Sequence, residues 1–144
     1  MSRENVELVR SIYPTPEVDL APLVRDDDDW RGFSKAISPA FHPDVVCRMH
    51  MLGGEKRYVG LEGVREYLLE WITPWTTYRT ETERTIDLGE KVLTLDNDRG
   101  TREGSAKEVK GRVANLWTIR DRRIASVDGY NGHDEALKVV GLSE

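Results

Sequence analysis

The segment Gly111–Tyr130, GRVANLWTIRDRRIASVDGY, consists of two apolar runs separated by the short polar segment RDRR. Each run is typical of a β-strand, and a connection this short predicts that the two strands are antiparallel neighbours. Asn115 lies in the middle of the first run, although asparagine is depleted in strands. A buried amide needs a hydrogen-bond partner. The Asn115 side chain is therefore either satisfied within a packed core or directed into a cavity.

The sequence on both sides of this hairpin predicts further strands and several helices. Apolar residues spaced three and four apart, followed by proline or glycine, predict the helices Arg3–Tyr13, Trp30–Phe41, Leu61–Thr73 and His133–Val140. Extended apolar runs predict the strands Val45–Met51, Thr77–Leu88, Lys91–Arg102, Lys107–Ile119 and Ile124–Tyr130. The segment 52–60, LGGEKRYVG, is interpreted as a turn-rich connector.

This order of elements predicts an α+β domain. Helices segregated from an antiparallel sheet define that class. We expect a curved, mostly antiparallel sheet wrapped by three N-terminal helices, in the order α-α-β-α-β-β-β-β, with a conical shape. The concave side of such a sheet encloses an internal pocket, and a concave pocket is the first place to expect a ligand.

Composition narrows the possible partners. The chain has 144 residues, one domain by size, and its formal net charge of −5 argues against a nucleic-acid partner. The polar N-terminus is unlike a signal peptide and no apolar run is long enough for a membrane span, so we predict a cytoplasmic protein with no membrane partner. Cys47 is the single cysteine, and the three histidines lack ligand spacing. We therefore predict no metal site and no cofactor.

Four segments carry a resemblance to a known family: ENVELVRSIY, RYVGLEGVREYLLEW, NLWTIRDRRI and DEALKVVGLSE. With the element order, they resemble the SnoaL-like branch of the nuclear-transport-factor-2-like superfamily. The resemblance covers residues 1–144 as one domain, with a Pro- and Asp-rich insertion around 14–29. That superfamily includes steroid isomerases, polyketide cyclases, epoxide hydrolases, dehydratases and domains without known activity, so the resemblance implies the fold and not the function.

The steroid isomerases of this superfamily polarise a carbonyl with a tyrosine and a proton-donating aspartate. By resemblance, Tyr13 and Asn115 occupy these positions, and an asparagine amide donates a hydrogen bond without any change of pKa. The resemblance therefore favours an Asn115 side chain that is directed into a cavity. The catalytic base is expected in the strand after HPDVVCR, where Met49 stands. Because methionine cannot accept a proton, steroid-isomerase chemistry is disfavoured.

The epoxide hydrolases of the superfamily use an arginine between two aspartates. By position, Asp98 could stand for one aspartate, but Asp96 falls where the arginine is expected and Gly129 where the second aspartate is expected. That chemistry is therefore disfavoured as well. Asp98 remains our candidate for proton transfer.

Asp96 and Asp98 alternate along one strand with Thr94, so the three share a face. The alternative to a catalytic role is that this stripe faces solvent, or that a neighbouring arginine neutralises it. The candidate arginines are Arg99, Arg102 and Arg112. We favour this alternative for Asp96 and leave it open for Asp98.

The walls of the pocket are predicted to be largely apolar and aromatic. We expect ligand contacts from Met49, Trp71, Trp75, Tyr78, Trp117, Val127 and Gly129, although core packing alone would also explain Trp71 and Trp117. Val127 and Gly129 face inward, and Asp128 and Tyr130 outward, if a bulge shifts the last hairpin by one residue. The resemblance favours the bulge over a strict pairing of Asn115 with Asp128.

Three functions are compatible with this sequence. The first is an isomerase, cyclase or lyase acting on a small apolar carbonyl compound, in which Tyr13 and Asn115 polarise the carbonyl and Asp98 moves the proton. The second is a ligand-binding domain without catalysis. The third is an association module whose pocket is filled by its own side chains. Apolar residues on the outer sheet face, among them Ala114 and Leu116, predict a homodimer through the sheets.

Overall fold

The computed structural model of the chain describes residues 2–51 and 54–142. The elements are α1 (Ser2–Ile12), α2 (Leu20–Arg25), α3 (Asp27–Ile37), a 3₁₀ turn (Ser38–Ala40), β1 (Phe41–Met51), β2 (Gly54–Val59), α4 (Gly60–Ile72), β3 (Thr77–Asp87), β4 (Lys91–Thr101), β5 (Glu108–Arg120), β6 (Arg123–Tyr130) and α5 (His133–Val139). Helices and sheet are segregated along the chain, so the predicted α+β class is confirmed.

The six strands form one mixed sheet in the order β2-β1-β6-β5-β4-β3. β1 and β6 are parallel, and the other neighbouring pairs are antiparallel. The main core lies between one face of this sheet and the helices α1, α3 and α4, with Val9, Trp30 and Val64 among its buried helical side chains. We call this face of the sheet the inner face. Burial of the apolar stripes of these helices against it is the main source of stability.

The helix predicted over Trp30–Phe41 ends at Ile37, and Phe41 already begins β1. Two further segments, for which no helix or strand was predicted, form regular elements. Residues 54–59, predicted as a connector, form the edge strand β2 and pair antiparallel with β1. The strand pattern is absent from the sequence because Glu55, Lys56 and Arg57 are all exposed, as is common on protected sheet edges. Within the insertion 14–29, a short helix α2 follows Asp19, whose carboxylate accepts from the Ala21 amide. Asp19 thus acts as an N-cap in a segment predicted to be a loop.

The register of the β5–β6 hairpin follows the bulged prediction. Asp121 and Arg122 form its two-residue turn with φ of 54° and 64°, the left-handed conformation that suits a tight hairpin. The pairing then shifts by one residue between Thr118 and Ile119, which places Asn115 opposite Gly129. As predicted, Gly129 lies on the inner face, while Asp128 lies on the outer face, where it binds Arg48.

A glycine is required at position 129 because the Tyr67 side chain occupies the adjacent space. A Cβ atom built on Gly129 would lie 2.0 Å from the Tyr67 hydroxyl oxygen and 3.2 Å from Cζ2 of Trp71. Contacts under 3.0 Å do not occur for real Cβ atoms. Any side chain at this position would therefore displace Tyr67 from the sheet.

The outer face of the sheet is covered in part by the chain itself. Ala136 and Leu137 of α5 pack in one cluster with Leu93, Leu95 and Leu116. Ala114 and Leu116, expected to leave an apolar surface there, are 0% and 4% exposed, so this expectation is wrong. The homodimer through the sheet faces stays a prediction, which sedimentation of the purified protein can check.

In the part of the chain that the structure describes, no helix combines the length and the apolar character needed to span a bilayer.

The contact between Gly129 and Tyr67 predicts the outcome of a double-mutant cycle. Gly129→Ala should lower the free energy of unfolding by about 2 kcal/mol, because the new methyl group overlaps the Tyr67 hydroxyl. In a Tyr67→Phe background the same substitution should cost less, because the closest overlapping atom is gone. Urea denaturation of the four proteins measures the coupling.

Gly111→Ala is the matched control for this cycle. Gly111 lies on the neighbouring strand β5, and a Cβ there would meet nothing within 4 Å. We expect it to change the unfolding free energy by only about 0.5 kcal/mol. An equal cost of Gly129→Ala with and without the Tyr67 hydroxyl would contradict the assigned contact.

Candidate active site

A cavity of about 130 Å³ lies between the inner face of the sheet and the helices. Most of its wall is apolar, with seven aromatic residues: Tyr13, Phe33, Phe41, Tyr67, Trp71, Tyr78 and Trp117. A cavity of roughly 150 Å³ is enough for a benzene-sized molecule. The volume of this cavity therefore suits a ligand of about one ring.

Polar groups reach this cavity from β4 because side chains alternate along a strand. Thr94, Asp96 and Asp98 share the inner face and are 1%, 1% and 8% exposed. Thr94 pairs with Asn115 of β5, and the Asn115 amide lies next to the Asp96 carboxylate. Asp96 and Asp98 of β4 thus contribute, with Thr80 and Asn115, the polar part of a largely apolar cavity wall.

Asp96 is held by three donors. Its Oδ2 atom accepts from the Tyr13 hydroxyl at 2.7 Å and from Nδ2 of Asn115 at 3.1 Å, and its Oδ1 atom accepts from the Thr82 hydroxyl at 2.9 Å. Burial raises the pKa of Asp96 to about 6, although these hydrogen bonds oppose the increase. Because its carboxylate accepts three hydrogen bonds from side chains of three different elements or segments, Asp96 serves mainly to organise the groups around it.

Asp98 has fewer partners. Oδ1 accepts from the Thr80 hydroxyl at 2.6 Å, and Oδ2 accepts from the Tyr78 hydroxyl in a short hydrogen bond. Burial raises the pKa of Asp98 to about 7; the two hydrogen bonds lower it, and the charge of Asp96 raises it further. Each carboxylate oxygen can accept a second hydrogen bond. A carboxyl group in this state can take up or release a proton near neutral pH.

The amide of Asn115 is oriented by Tyr67. The Tyr67 hydroxyl donates to Oδ1 of Asn115 at 3.2 Å, which directs Nδ2 toward Asp96. Tyr13 and Asn115 are therefore close together, and both donate to the same oxygen of Asp96. Their shared partner is a side chain of the protein, where the resemblance implied a substrate carbonyl.

The interpretation of Asp96 as a solvent-facing or arginine-neutralised residue is wrong. The three arginines considered for it have other partners. Arg99 donates to the Pro16 carbonyl, Arg102 lies 5.1 Å from the centre of the Trp75 ring, and Arg112 binds Glu83. Sequence alternation placed Asp96 on the correct face but could not show that this face is the inner one.

Four of the residues expected to contact a ligand line the cavity: Trp71, Tyr78, Trp117 and Val127. Three do not. Met49 is buried in the main core, Trp75 packs against Tyr78 and beside Gly100, and Gly129 lies beneath Tyr67. For Gly129 the reason is that the Tyr67 side chain occupies the space next to it.

Sequence reasoning did not single out Tyr67 or Thr80 as site residues. Tyr67 belongs to the regular apolar face of α4, and such a residue is usually part of the core. Thr80 lies on β3 opposite Asp98, so only the register of that pair identifies it. The alternation of side chains along β3 and β4 was the sequence signal that could have placed Thr80 on the same face as Asp98.

Cys47 also lines the cavity but is a poor nucleophile in this environment. It is 1% exposed, and burial raises the pKa of its thiol to about 12. The reactive form of cysteine is the thiolate. At neutral pH Cys47 therefore acts as an apolar wall residue.

A second polar cluster lies on the outer face, away from the cavity. Arg48 donates to both oxygens of Asp128, at 2.6 and 2.9 Å, and Nε2 of His50 lies 2.7 Å from Oδ1 of Asp128. Burial raises the pKa of Asp128, but the hydrogen bonds from Arg48 and His50 outweigh this and hold it below its usual value. This aspartate is an ion-pair partner with a stable charge.

Among residues 2–51 and 54–142, no group of three or more His, Cys, Asp or Glu side chains is arranged to hold a metal ion. The absence of a metal and of a cofactor stays a prediction.

Comparisons with solved structures support the fold. An NTF2-like protein of unknown function from Burkholderia pseudomallei K96243 is 18% identical, with a TM-score of 0.64 over 96% of this chain and 98% of that chain. A candidate SnoaL-like polyketide cyclase from Jannaschia sp. CCS1 is 16% identical, with a TM-score of 0.67 over 96% and 90%. TerC, co-crystallised with polyporic acid, is 21% identical, with a TM-score of 0.63 over 89% and 91%.

No curated relative matches the sequence. Residues 25–127, well over half of the chain, match the family described as the SnoaL-like domain. The match includes β1 to β5, most of β6, and the helices α3 and α4. It therefore contains Asp96, Asp98 and Asn115. The chain belongs to the SnoaL-like domain family, as the resemblance in its sequence implied.

Proposed function

We propose that this protein is an isomerase, cyclase or lyase that acts on a small, largely apolar carbonyl compound, with Asp98 as the group that transfers the proton. The observation that carries this proposal is the state of Asp98. It lines a largely apolar cavity, and burial raises its pKa to about 7. Each of its oxygens accepts one hydrogen bond from the protein, and a carboxylate oxygen can accept two.

The two alternative functions predict different structures. A ligand-binding domain without catalysis would have a cavity but no well-placed titratable group. An association module would have its pocket filled by its own side chains. The cavity beside Asp98 supports the enzyme over both. Binding without catalysis remains the second candidate, because Tyr13 and the Asn115 amide already bind Asp96.

The proposed reaction begins with a ligand whose carbonyl oxygen lies near Asn115. Nδ2 of Asn115 carries two hydrogens; one binds Asp96, and the other donates to the ligand oxygen. Ionised Asp98 removes a proton from the carbon next to the carbonyl, and the electron pair moves onto the oxygen as an enolate. Asp98, now protonated, returns the proton to another carbon in an isomerase. In a lyase it gives the proton to a leaving group.

The neighbours of Asp98 support this role. Thr80 and Tyr78 donate to opposite oxygens and so fix the plane of the carboxylate. Burial raises the pKa of Tyr78, so its hydroxyl remains a donor at neutral pH. Met49 and Gly129, where related enzymes carry acidic groups, supply no proton acceptor. Asp98 on β4 takes the place of both.

The reaction can be tested without knowledge of the natural substrate. The protein is incubated in D₂O with a panel of one-ring ketones, and exchange of the hydrogens next to the carbonyl is followed by NMR. We expect catalysed exchange for at least one ketone and a decrease of about 100-fold in Asp98→Asn, because a positioned general base contributes rates of that order.

Asp121→Asn is the matched control. It removes the same charge from an exposed turn where asparagine is well tolerated, and it should leave the exchange rate unchanged. Equal exchange rates in wild type and Asp98→Asn would contradict the role of Asp98. Ligand binding without exchange of any ketone would favour the second candidate function.

The raised pKa of Asp98 also predicts how stability depends on pH. The folded state keeps a proton that the unfolded state loses above about pH 4, so the free energy of unfolding should decrease from about pH 4 to about pH 7. Asp98→Asn has no carboxyl group to ionise there and should be more stable than wild type at about pH 8. A shift of about three pKa units limits the difference to at most about 4 kcal/mol. Urea denaturation at several pH values measures it.

Asp128→Asn provides a control of opposite sign. The pKa of Asp128 is lowered in the folded state, so its ionised form contributes stability above about pH 4. Its substitution should lower the unfolding free energy at neutral pH and matter less in acid. If both aspartate variants changed stability in the same direction at about pH 8, the contrast between the two faces would be wrong.

A further inference from the structure

The charged side chains that line the cavity are acidic. In the described part of the chain, the charged residues that line it are Asp96 and Asp98, with no lysine, arginine or histidine among the lining residues. The side chains that donate to the two carboxyl groups are hydroxyls and one amide: Tyr13, Thr82 and Asn115 on Asp96, and Tyr78 and Thr80 on Asp98. Hydroxyls and amides stabilise a carboxylate but do not cancel its charge.

Buried carboxylates in proteins are normally paired with a cation. The same chain follows that rule on its outer face, where Arg48 and His50 bind Asp128. On the inner face no basic side chain of the described residues lines the cavity beside Asp96 and Asp98, and His133 acts on Asp98 from outside the lining. A ligand that carries a positive charge would supply a compensating charge, whereas an anionic ligand would add a third negative charge to an apolar space.

The aromatic part of the wall favours the same class of ligand. The faces of Trp, Tyr and Phe rings attract cations, most strongly where water is excluded. Three of the rings that line the cavity also contact the polar residues of β4. Tyr13 binds Asp96, Tyr78 binds Asp98, and Trp117 binds Thr94. The remaining aromatic wall suits the hydrocarbon part of a ligand.

We propose that the cavity selects its ligand by charge: it favours a small organic ammonium ion over an uncharged molecule of the same shape, and it excludes carboxylates. This inference rests on the proposed function only in taking the cavity as the ligand site. Together the two proposals define the substrate class as a carbonyl compound of about one ring that carries a basic nitrogen and no acid group.

Binding of such a cation is coupled to the protonation of Asp98. Near pH 6 the carboxyl group holds a proton, and the arriving ammonium ion favours the carboxylate, so the proton leaves to the solvent. The titratable groups that act on Asp98 are Tyr78 of β3, Asp96 of its own strand and His133 of α5. The pKa of Tyr78 is raised, so it remains protonated throughout. Cation affinity should therefore increase as the pH rises through about 7.

The test uses three probes of nearly equal shape: benzylamine, benzyl alcohol and benzoate. Their binding is measured by isothermal titration calorimetry at about pH 6 and about pH 8, in two buffers with different ionisation enthalpies. For the wild type at the higher pH we expect benzylamine to bind about tenfold more tightly than benzyl alcohol, as a cation–π contact and a buried charge pair allow. Benzoate should not bind. Benzylamine should release protons at the lower pH.

Two variants assign the selectivity to Asp98. Asp98→Asn should reduce benzylamine affinity to about that of benzyl alcohol and change benzyl alcohol affinity much less, whereas a loss of folding would reduce both alike. Asp121→Asn removes an equal charge from the exposed turn and should leave all three affinities unchanged. Circular dichroism confirms that each variant is folded.

The outcomes separate this inference from the proposed function. Binding of benzyl alcohol with equal or weaker binding of benzylamine would overturn charge selection but leave the cavity as a ligand site. Benzoate binding, or a benzylamine affinity unchanged in Asp98→Asn, would also overturn charge selection. Failure of all three probes would overturn the ligand site itself, and with it both proposals.

Discussion

The place of the Tyr67 hydroxyl constrains the rest of the site. It lies where the Cβ atom of a residue at position 129 would be, so β6 must carry a glycine beneath it. From there it fixes the Asn115 amide, which in turn donates to Asp96. These contacts depend on the register of the last hairpin. A slip of one residue would place Asp128 opposite Asn115 and remove the space that Tyr67 occupies.

The pKa of aspartate is lowered on the outer face of the sheet and raised on the inner face. On the outer face, Arg48 and His50 hold the charge of Asp128, and this aspartate adds to the stability of the fold. On the inner face, the side chains that donate to Asp96 and Asp98 are neutral. Burial disfavours the ionised forms of both carboxyl groups. Stability lost at such a position is characteristic of residues kept for chemistry.

Much of the fold could be predicted from sequence because helix and strand periodicities and short connections are local properties. The register of β5 and β6 was also predictable, but only with the family resemblance. Other features were not local. β2 was not recognised because its exposed charged side chains do not form an apolar strand pattern. Asp96 could not be assigned to the inner face from the alternation of side chains alone. The role of Tyr67 required knowledge of which helix residue meets Gly129.

The seven-residue helix α5 contacts both the apolar outer face of the sheet and the backbone of β4. Its apolar side covers the outer face through Ala136 and Leu137, while Nε2 of His133 lies 2.9 Å from the carbonyl oxygen of Asp96. One short segment thus shields the surface through which copies of the chain could pair and contacts the backbone of the strand that carries both carboxylates. Displacement of α5 would expose leucines on one side of β4 and loosen the support of Asp96 on the other. The cover of the outer face and the support of the Asp96 backbone thus depend on the same short helix.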